Sequence, residues 1–354
     1  MEPVEKIKLL IVDDSTAYRN IIKAIAGKDE SIEIIGVAKD GKEALEIISK
    51  NKPDVVTLDV EMPEMNGIET LKKIREIDTE IQVLMLSSLT EFGGQSTMNA
   101  LTLGASDFMP KSFIEGNMES NVQLIRKELM EKIKLMYKHK SFHSKLGEAE
   151  TTTITRIDDA ILNKIPDDIQ LVAMGVSAGG YNSILSILPK LSKDFSIPII
   201  IQQHMPALYI KDFLVEVKKI GKLPAKQVQD NFPIFSKYLY IGSTDYLIDI
   251  EKHGRLNRLK VSEKSLLPGK AKNPIDHLFT SISELDNFRA LGVLLKFSGG
   301  DGMEGLTKLK ASGSFTLIQD SEMLGLGETQ FADIRAPIGC IPSILNKGGV
   351  KNSK

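Results

Sequence analysis

Cysteine is nearly absent from this 354-residue chain: Cys340 stands alone, which excludes an internal disulfide and fits a reducing compartment. An excess of charge is lacking too. The 45 Lys and Arg residues nearly balance 47 Asp and Glu, for a net charge of −2, whereas a dedicated nucleic-acid binder carries a strongly basic face. No apolar run approaches the ~20 residues that span a bilayer. The opening segment MEPVEKIKLLIVDDS holds a short apolar stretch ending in two aspartates, unlike a secretion signal. Internal repeats at the spacing of solenoids and propellers are missing. A composition of 42% apolar and 26% charged residues excludes a collagenous, mucin-like or wholly disordered chain. These absences predict a cytoplasmic protein with neither membrane insertion nor a nucleic-acid partner. At about 150 residues per domain, the length predicts two domains.

What is present is alternation. Short β-rich runs, LLIV from Leu9, IEIIGVA from Ile32, DVVTLDV from Asp54, QVLMLSS from Gln82 and DFMP from Asp107, are separated by helical patterns such as GKEALEIISK and IETLKKIREI. Five such units predict a doubly wound parallel sheet with ligands at the carboxyl ends of its strands. A last helix is expected from about Asn117 to Lys140, with Val122, Ile125, Leu129, Ile133 and Met136 as its apolar stripe. The stretch from His139 to Asp168 is polar and threonine-rich and reads as a linker with a short helix near Ala160. From Ile169 the alternation resumes through LVAMGV, IPIIIQQ, a strand-rich stretch from Tyr238 to Val261, LGVLLKF and SFTLIQD, predicting a second α/β domain with some antiparallel strands. The expected domains are therefore 1–125, a connecting segment 126–168, and 169–350.

Asp13 and Asp14 directly follow the first strand and Asp59 ends the third, positions that a doubly wound sheet makes neighbours. Converging carboxylates repel and raise one another's pKa. A hard divalent cation such as Mg²⁺ relieves this through carboxylate oxygens and water. Ser87 and Lys111 follow the fourth and fifth strands on the same rim. A carboxylate flanked by a cation, a hydroxyl and an ammonium is equipped to accept a phosphoryl group. The bland alternative is that these aspartates only cap helices.

The ordered set IVDDS, LDVEMPEMNG, MLSSLT and GASDFMPK resembles the receiver domains of bacterial response regulators. The resemblance implies that Asp59 is the phosphoacceptor, and that Asp13, Asp14, Asp59 and the backbone carbonyl of Glu61 form the Mg²⁺ site. It implies further that Ser87 and Phe108 are the switch pair and that Lys111 senses the phosphate. One departure is Lys111-Ser112, where the family has Lys-Pro.

In the second half, GVSAGG follows an apolar strand and precedes a helix, a turn that lifts the Ser177 hydroxyl clear of the sheet near helix N–H groups. A glycine-rich phosphate loop is the competing interpretation, but Ser177 replaces the second glycine of a dinucleotide fingerprint and no P-loop lysine follows. A serine needs a base. Of five histidines, His139 and His143 lie among lysines, His253 sits in a charged turn and His277 falls within a helix. His204, in QQHMP, shares the strand-end rim with Ser177. Asp301, in GGDGMEG, occupies a third strand end and can orient the imidazole. The order Ser177, His204, Asp301 differs from the nucleophile-acid-histidine order of α/β-hydrolases.

GVSAGG, QQHMP and GGDGMEG, with LYIGSTD and KNPIDHLFTSI, resemble the catalytic domain of chemotaxis protein-glutamate methylesterases, the CheB family. The resemblance implies a phosphorylation-regulated serine esterase that removes glutamate 5-methyl esters from methyl-accepting chemotaxis receptors. It also implies deamidation of receptor glutamines, a chemotaxis histidine kinase as phosphodonor, and no cofactor for the esterase site. Ala178 and Ser298 are the expected oxyanion donors. Ala178 stands where the family commonly has threonine, Lys296-Phe297-Ser298-Gly299 replaces Thr-Gly-Met-Gly, and GLGETQ near Gly325 replaces Gly-Met-Pro. The alternative expectation is a receiver-controlled adaptor whose altered pocket only binds.

Overall fold

The computed structural model describes residues 6–87, 91–111, 126–137, 159–177, 179–254, 256–263, 273–296, 301–319 and 331–350, with backbone alone at 91–95, 160 and 161. The chain divides into two compact units, Met1–Ala149 and Glu150–Lys354.

The first unit runs β1 (Ile7–Val12), α1 (Thr16–Ala26), β2 (Ile32–Ala38), α2 (Gly41–Lys50), β3 (Val55–Asp59), α3 (Gly67–Ile77), β4 (Gln82–Ser87), α4 (Glu91–Thr102) and β5 (Asp107–Pro110). A further helix, α5, occupies 126–137. The five strands form one parallel sheet in the order β2-β1-β3-β4-β5. Helix starts follow capping chemistry. Ser15 and Asp40 cap α1 and α2, and Asn66 with Glu69 forms a reciprocal capping box on α3. Leu129, Ile133 and Met136 of α5 are buried against a cluster that includes Leu9, Ile11, Ile22 and Leu84. That is the apolar stripe expected from the sequence; Val122 and Ile125 lie outside the described residues.

The second unit begins with the short helix α6 (Asp159–Leu162) and continues β6 (Leu171–Val176), α7 (Tyr181–Ile187), β7 (Ile199–Gln203), α8 (Ala207–Ile220), β8 (Ala225–Gln227), β9 (Phe232–Pro233) and β10 (Leu239–Ser243). Then follow β11 (Tyr246–His253), β12 (Leu256–Glu263), α9 (Pro274–Ser283), β13 (Ala290–Leu295), α10 (Met303–Ala311), β14 (Phe315–Gln319), β15 (Ile334–Ala336) and α11 (Ile341–Gly349). Seven strands make a parallel sheet in the order β15-β14-β13-β6-β7-β10-β8. The antiparallel excursion is a separate three-stranded sheet, β11-β12-β9. Strands β6, β7, β10, β13 and β14 are buried along their whole length, as a sheet covered on both faces requires. The short β8, β9 and β15 carry too little pattern to be read in advance.

Both sheets reverse direction at a definable point. In the first, the chain moves from β1 outward to β2 and then back past β1 to β3. In the second, it grows from β6 through β7 to β10 and β8, then returns to place β13, β14 and β15 on the other side. At such reversals adjacent connections leave in opposite directions and open a crevice at the strand ends. Each candidate site lies at one.

Candidate functional site

At the first crevice, Asp13 and Asp59 are buried and Asp14 is exposed, and one carboxylate oxygen of each lies within 4.8 Å of the others. Lys111 bridges the two buried acids, with Nζ 2.9 Å from Asp13 Oδ2 and 2.7 Å from Asp59 Oδ2. These contacts are ion pairs without well-directed hydrogen bonds, and both oxygens lack any other hydrogen-bond partner. Backbone donors fix the remaining oxygens: the Ser15 N–H donates to Asp13 Oδ1 at 2.9 Å and the Glu61 N–H to Asp59 Oδ1 at 3.2 Å. Burial pushes the Asp59 carboxyl up to about 7 against the lowering influence of Lys111. The Lys111 ammonium is held above its usual value, because its own burial is outweighed by Asp59 and Asp13.

Three oxygen donors around a partly desolvated acid suit a hard divalent cation such as Mg²⁺. Asp13, Asp14 and Asp59 could hold it, each offering one carboxylate oxygen to a common point. Ser87, fully buried, ends β4 opposite Pro110, and Phe108 is buried on β5 opposite Met85.

Two features of this unit carry no sequence signal. The Tyr18 ring lies under Lys111 Nζ at 4.6 Å. Lys132 of α5 reaches Asp107 Oδ2 at 2.6 Å in a buried ion pair, while Asp107 Oδ1 accepts from the Phe108 N–H at 2.9 Å. Each depends on residues brought together only by folding.

At the second crevice, β6 lies between β7 and β13, with Val176 paired to Gln203 on one side and Leu295 on the other. Ser177 follows β6 and is 8% exposed. Its N–H donates to the Leu295 carbonyl at 3.2 Å, and its carbonyl accepts from Gly180 N–H at 3.0 Å as the turn enters α7. His204 follows β7, with its N–H on the Val176 carbonyl at 2.8 Å. The backbones of Ser177 and His204 are thus one strand spacing apart, and the imidazole is exposed on the rim. The histidine loop is pinned behind it. Ser243 Oγ donates to the Met205 carbonyl at 2.6 Å, and Asp245 accepts from the Ala207 N–H at 2.6 Å, capping α8 from outside.

Asp301 stands at the entrance to α10. Its Oδ1 accepts from the Asp276 N–H at 2.9 Å and its Oδ2 from the Ile275 N–H at 3.1 Å, so it caps α9. Asp276 returns the interaction: its Oδ1 accepts from the Gly305 N–H at 2.7 Å in the first turn of α10. The next residue, Gly302, turns the chain at φ 109°, a left-handed value suited to glycine. This reciprocal pair fixes the acid-bearing loop, and Asp276 is a supporting residue that the PIDHLF motif contains but that sequence reasoning did not single out. Two of the roughly four acceptor positions of a carboxylate are used this way. His277, read as an ordinary helical residue, has Nε2 2.8 Å from Asp249 Oδ1 on β11. Ala178, Phe297 and Ser298 lie outside the described residues, as does the GLGETQ segment.

Residues 172–324 match the CheB methylesterase family, and residues 9–123 match the response regulator receiver domain. Among curated relatives, the protein-glutamate methylesterase/protein-glutamine glutaminase of Trichodesmium erythraeum is 35% identical over 318 residues, 89% of either chain. The protein of the same name from Pyrococcus horikoshii is 31% identical over 351 residues, covering 97% of this chain and 93% of that one. Among solved structures, the Thermotoga maritima CheB methylesterase catalytic domain covers 51% of this chain and 98% of its own, at 24% identity and a TM-score of 0.45.

Proposed function

This chain belongs to the CheB protein-glutamate methylesterase family, and on that footing we propose that it is a receiver-regulated serine esterase acting on glutamate methyl esters of chemotaxis receptors. The observation that carries this reading is the convergence of Ser177, His204 and the strand leading to Asp301 at one topological reversal, with β6 between its two partners.

In this reading Ser177 Oγ attacks the ester carbonyl while His204 accepts its proton. Methanol leaves with that proton, and water activated by the same imidazole hydrolyses the acyl-enzyme to a glutamate carboxylate. Asp301, rigid because it caps α9, holds the imidazole in the tautomer that presents a free nitrogen to the serine. Amide hydrolysis follows the same path with ammonia as the leaving group, in keeping with the paired activities in the relatives' name. The bond-making steps need only these side chains and water.

In the receiver, Asp59 is the phosphoryl acceptor, with a chemotaxis histidine kinase as donor. Asp13, Asp14, Asp59 and the Glu61 carbonyl would hold Mg²⁺, which when bound would neutralise charge on the incoming phosphoryl oxygens. Lys111 gives up part of its contact with Asp59 to meet those oxygens, Ser87 contributes a hydroxyl, and Phe108 repacks in response. Esterase control then requires that the phosphorylated and unphosphorylated receivers bias the catalytic domain differently. A cytoplasmic location accords with both partners; among the described residues no helix is long and apolar enough to cross a membrane.

The test is methanol release from methylated receptors by the full chain, with and without a small phosphodonor. Ser177→Ala is expected to lose about 10⁶-fold, and Asp59→Asn to abolish the response to phosphodonor. Equal methanol release from wild type and Ser177→Ala would overturn the esterase reading and leave a binding role.

A further inference from the structure

Lys296 directly follows β13 beside the nucleophile: the preceding residue, Leu295, pairs with Val176 and accepts the Ser177 N–H at 3.2 Å. Its backbone is left-handed, at φ 48°, a conformation that a non-glycine residue keeps only when its surroundings impose it. The restraint is visible. The Lys296 N–H donates to Gln319 Oε1 at 3.2 Å, and that oxygen also accepts from Ser183 Oγ of α7 at 3.4 Å. The Lys296 side chain leaves the strand against the start of α7, its Cβ 3.4 Å from where a Cβ on Gly180 would stand. Strand, helix start and nucleophile turn therefore meet at the root of this lysine.

Among the described residues its ammonium has no counterpart. Among the described residues no carboxylate and no hydrogen-bond acceptor pairs with it, whereas the buried Lys132 meets Asp107 and the part-buried Lys111 meets Asp13 and Asp59. Burial alone acts on the Lys296 amine and holds its pKa below the usual lysine range, with no opposing charge to raise it. A partly desolvated cation without a partner is poised for an anion. The methyl ester brings none. The anion that arises at this point is the carbonyl oxygen once Ser177 has attacked.

We propose that Lys296 is a further catalytic residue of the esterase site, whose ammonium takes up the negative charge formed on the substrate's carbonyl oxygen. The inference rests on the reading of Ser177 as nucleophile. As the Ser177 Oγ–carbon bond forms, the serine proton passes to His204 and the carbonyl π pair moves onto oxygen. Lys296 donates a hydrogen bond to that oxygen and keeps its own proton. The pair returns as the carbon–methoxy bond breaks and methanol departs with the proton from His204. The lysine, standing where the family commonly has threonine, thus adds a formal charge to a task that backbone N–H groups otherwise perform.

The experiment compares full-length wild type, Lys296→Met, Lys296→Arg and Ser177→Ala on methylated receptors, measuring kcat and KM for methanol release and the thermal melt of each. Lys296→Met, of similar length without charge, is expected to lose about 10²-fold in kcat with KM nearly unchanged, the loss typical of one oxyanion donor. Lys296→Arg is expected to recover most of that loss, and all variants to melt with wild type. An unchanged kcat with a raised KM would overturn the proposal, because it assigns Lys296 to an anion on the receptor surface. Equal loss in the Met and Arg variants together with a lowered melt would overturn it as well, in favour of a packing role. Ser177→Ala separates the two readings. An active Ser177→Ala refutes the nucleophile assignment itself, whereas an inactive one beside an unaffected Lys296→Met refutes the lysine assignment alone.

Discussion

Replacing the phosphoacceptor is expected to stabilise the receiver, and by an amount that grows with pH. Folding takes the Asp59 carboxyl from an ordinary 3.8 to about 7, mainly by burial. The folded protein therefore binds that proton more tightly than the unfolded chain does. Its contribution to stability is fully present below about pH 4 and is lost as pH rises to about 7. At ~1.4 kcal/mol per tenfold, full ionisation costs at most ~4 kcal/mol, and local relaxation is expected to leave about half. Asp59→Asn keeps the shape without the charge. At about pH 8 it should raise the receiver's melting temperature by about 4–8 °C, taking ~2–4 °C per kcal/mol for a unit of this size. Near pH 4 it should melt with wild type. The assay is scanning calorimetry of the full chain across that range, with the receiver transition identified by its Mg²⁺ sensitivity. Mg²⁺ should raise the wild-type transition, by ~2.7 kcal/mol at a hundredfold excess over Kd, and the Asp59→Asn transition less. A gap between the two proteins that is flat with pH, or an Asp59→Asn protein less stable at pH 8, would refute the claim that a desolvated charge is stored at this strand end.

Other substitutions probe the frame around each site. Asp301→Asn is expected to lower kcat by about 10⁴ through the wrong imidazole tautomer. It should also cost about 1–2 kcal/mol, because one α9 N–H then faces an amide donor; methanol release and thermal melts check both. Asp276→Ala should cost about 1–3 kcal/mol in a melt by orphaning the Gly305 N–H. Gly67→Ala would place a Cβ 2.0 Å from the Asp59 carbonyl oxygen. It should shift the end of β3, slow phosphorylation by a small phosphodonor and destabilise the receiver by about 1–3 kcal/mol.

The strands that carry the chemistry were legible because buried parallel strands are continuous apolar runs, and those runs stop where the polar site residue begins. IEIIGVA, DFMP and LVAMGV occupy β2, β5 and β6 with the boundaries read from the sequence. The candidate residues Asp13, Ser87, Ser177 and His204 each stand at or just after such a stop. The last receiver helix was legible as a stripe, since a period near 3.6 brings Leu129, Ile133 and Met136 to one face.

What the sequence by itself determined, then, is which residues end strands and which chemical groups they carry, because burial writes local composition. Which strand ends become neighbours was decided by tertiary structure: order along the chain does not encode that β13 returns to the flank of β6 opposite β7. The same holds for the mutual capping of Asp301 and Asp276, the Asp107–Lys132 pair, the Tyr18 ring under Lys111 and the Lys296 ammonium, which is unpaired among the described residues. Each is a polar contact, or the lack of one, between segments distant in sequence. Such contacts depend on distance and desolvation, quantities that exist only once the two segments have been packed.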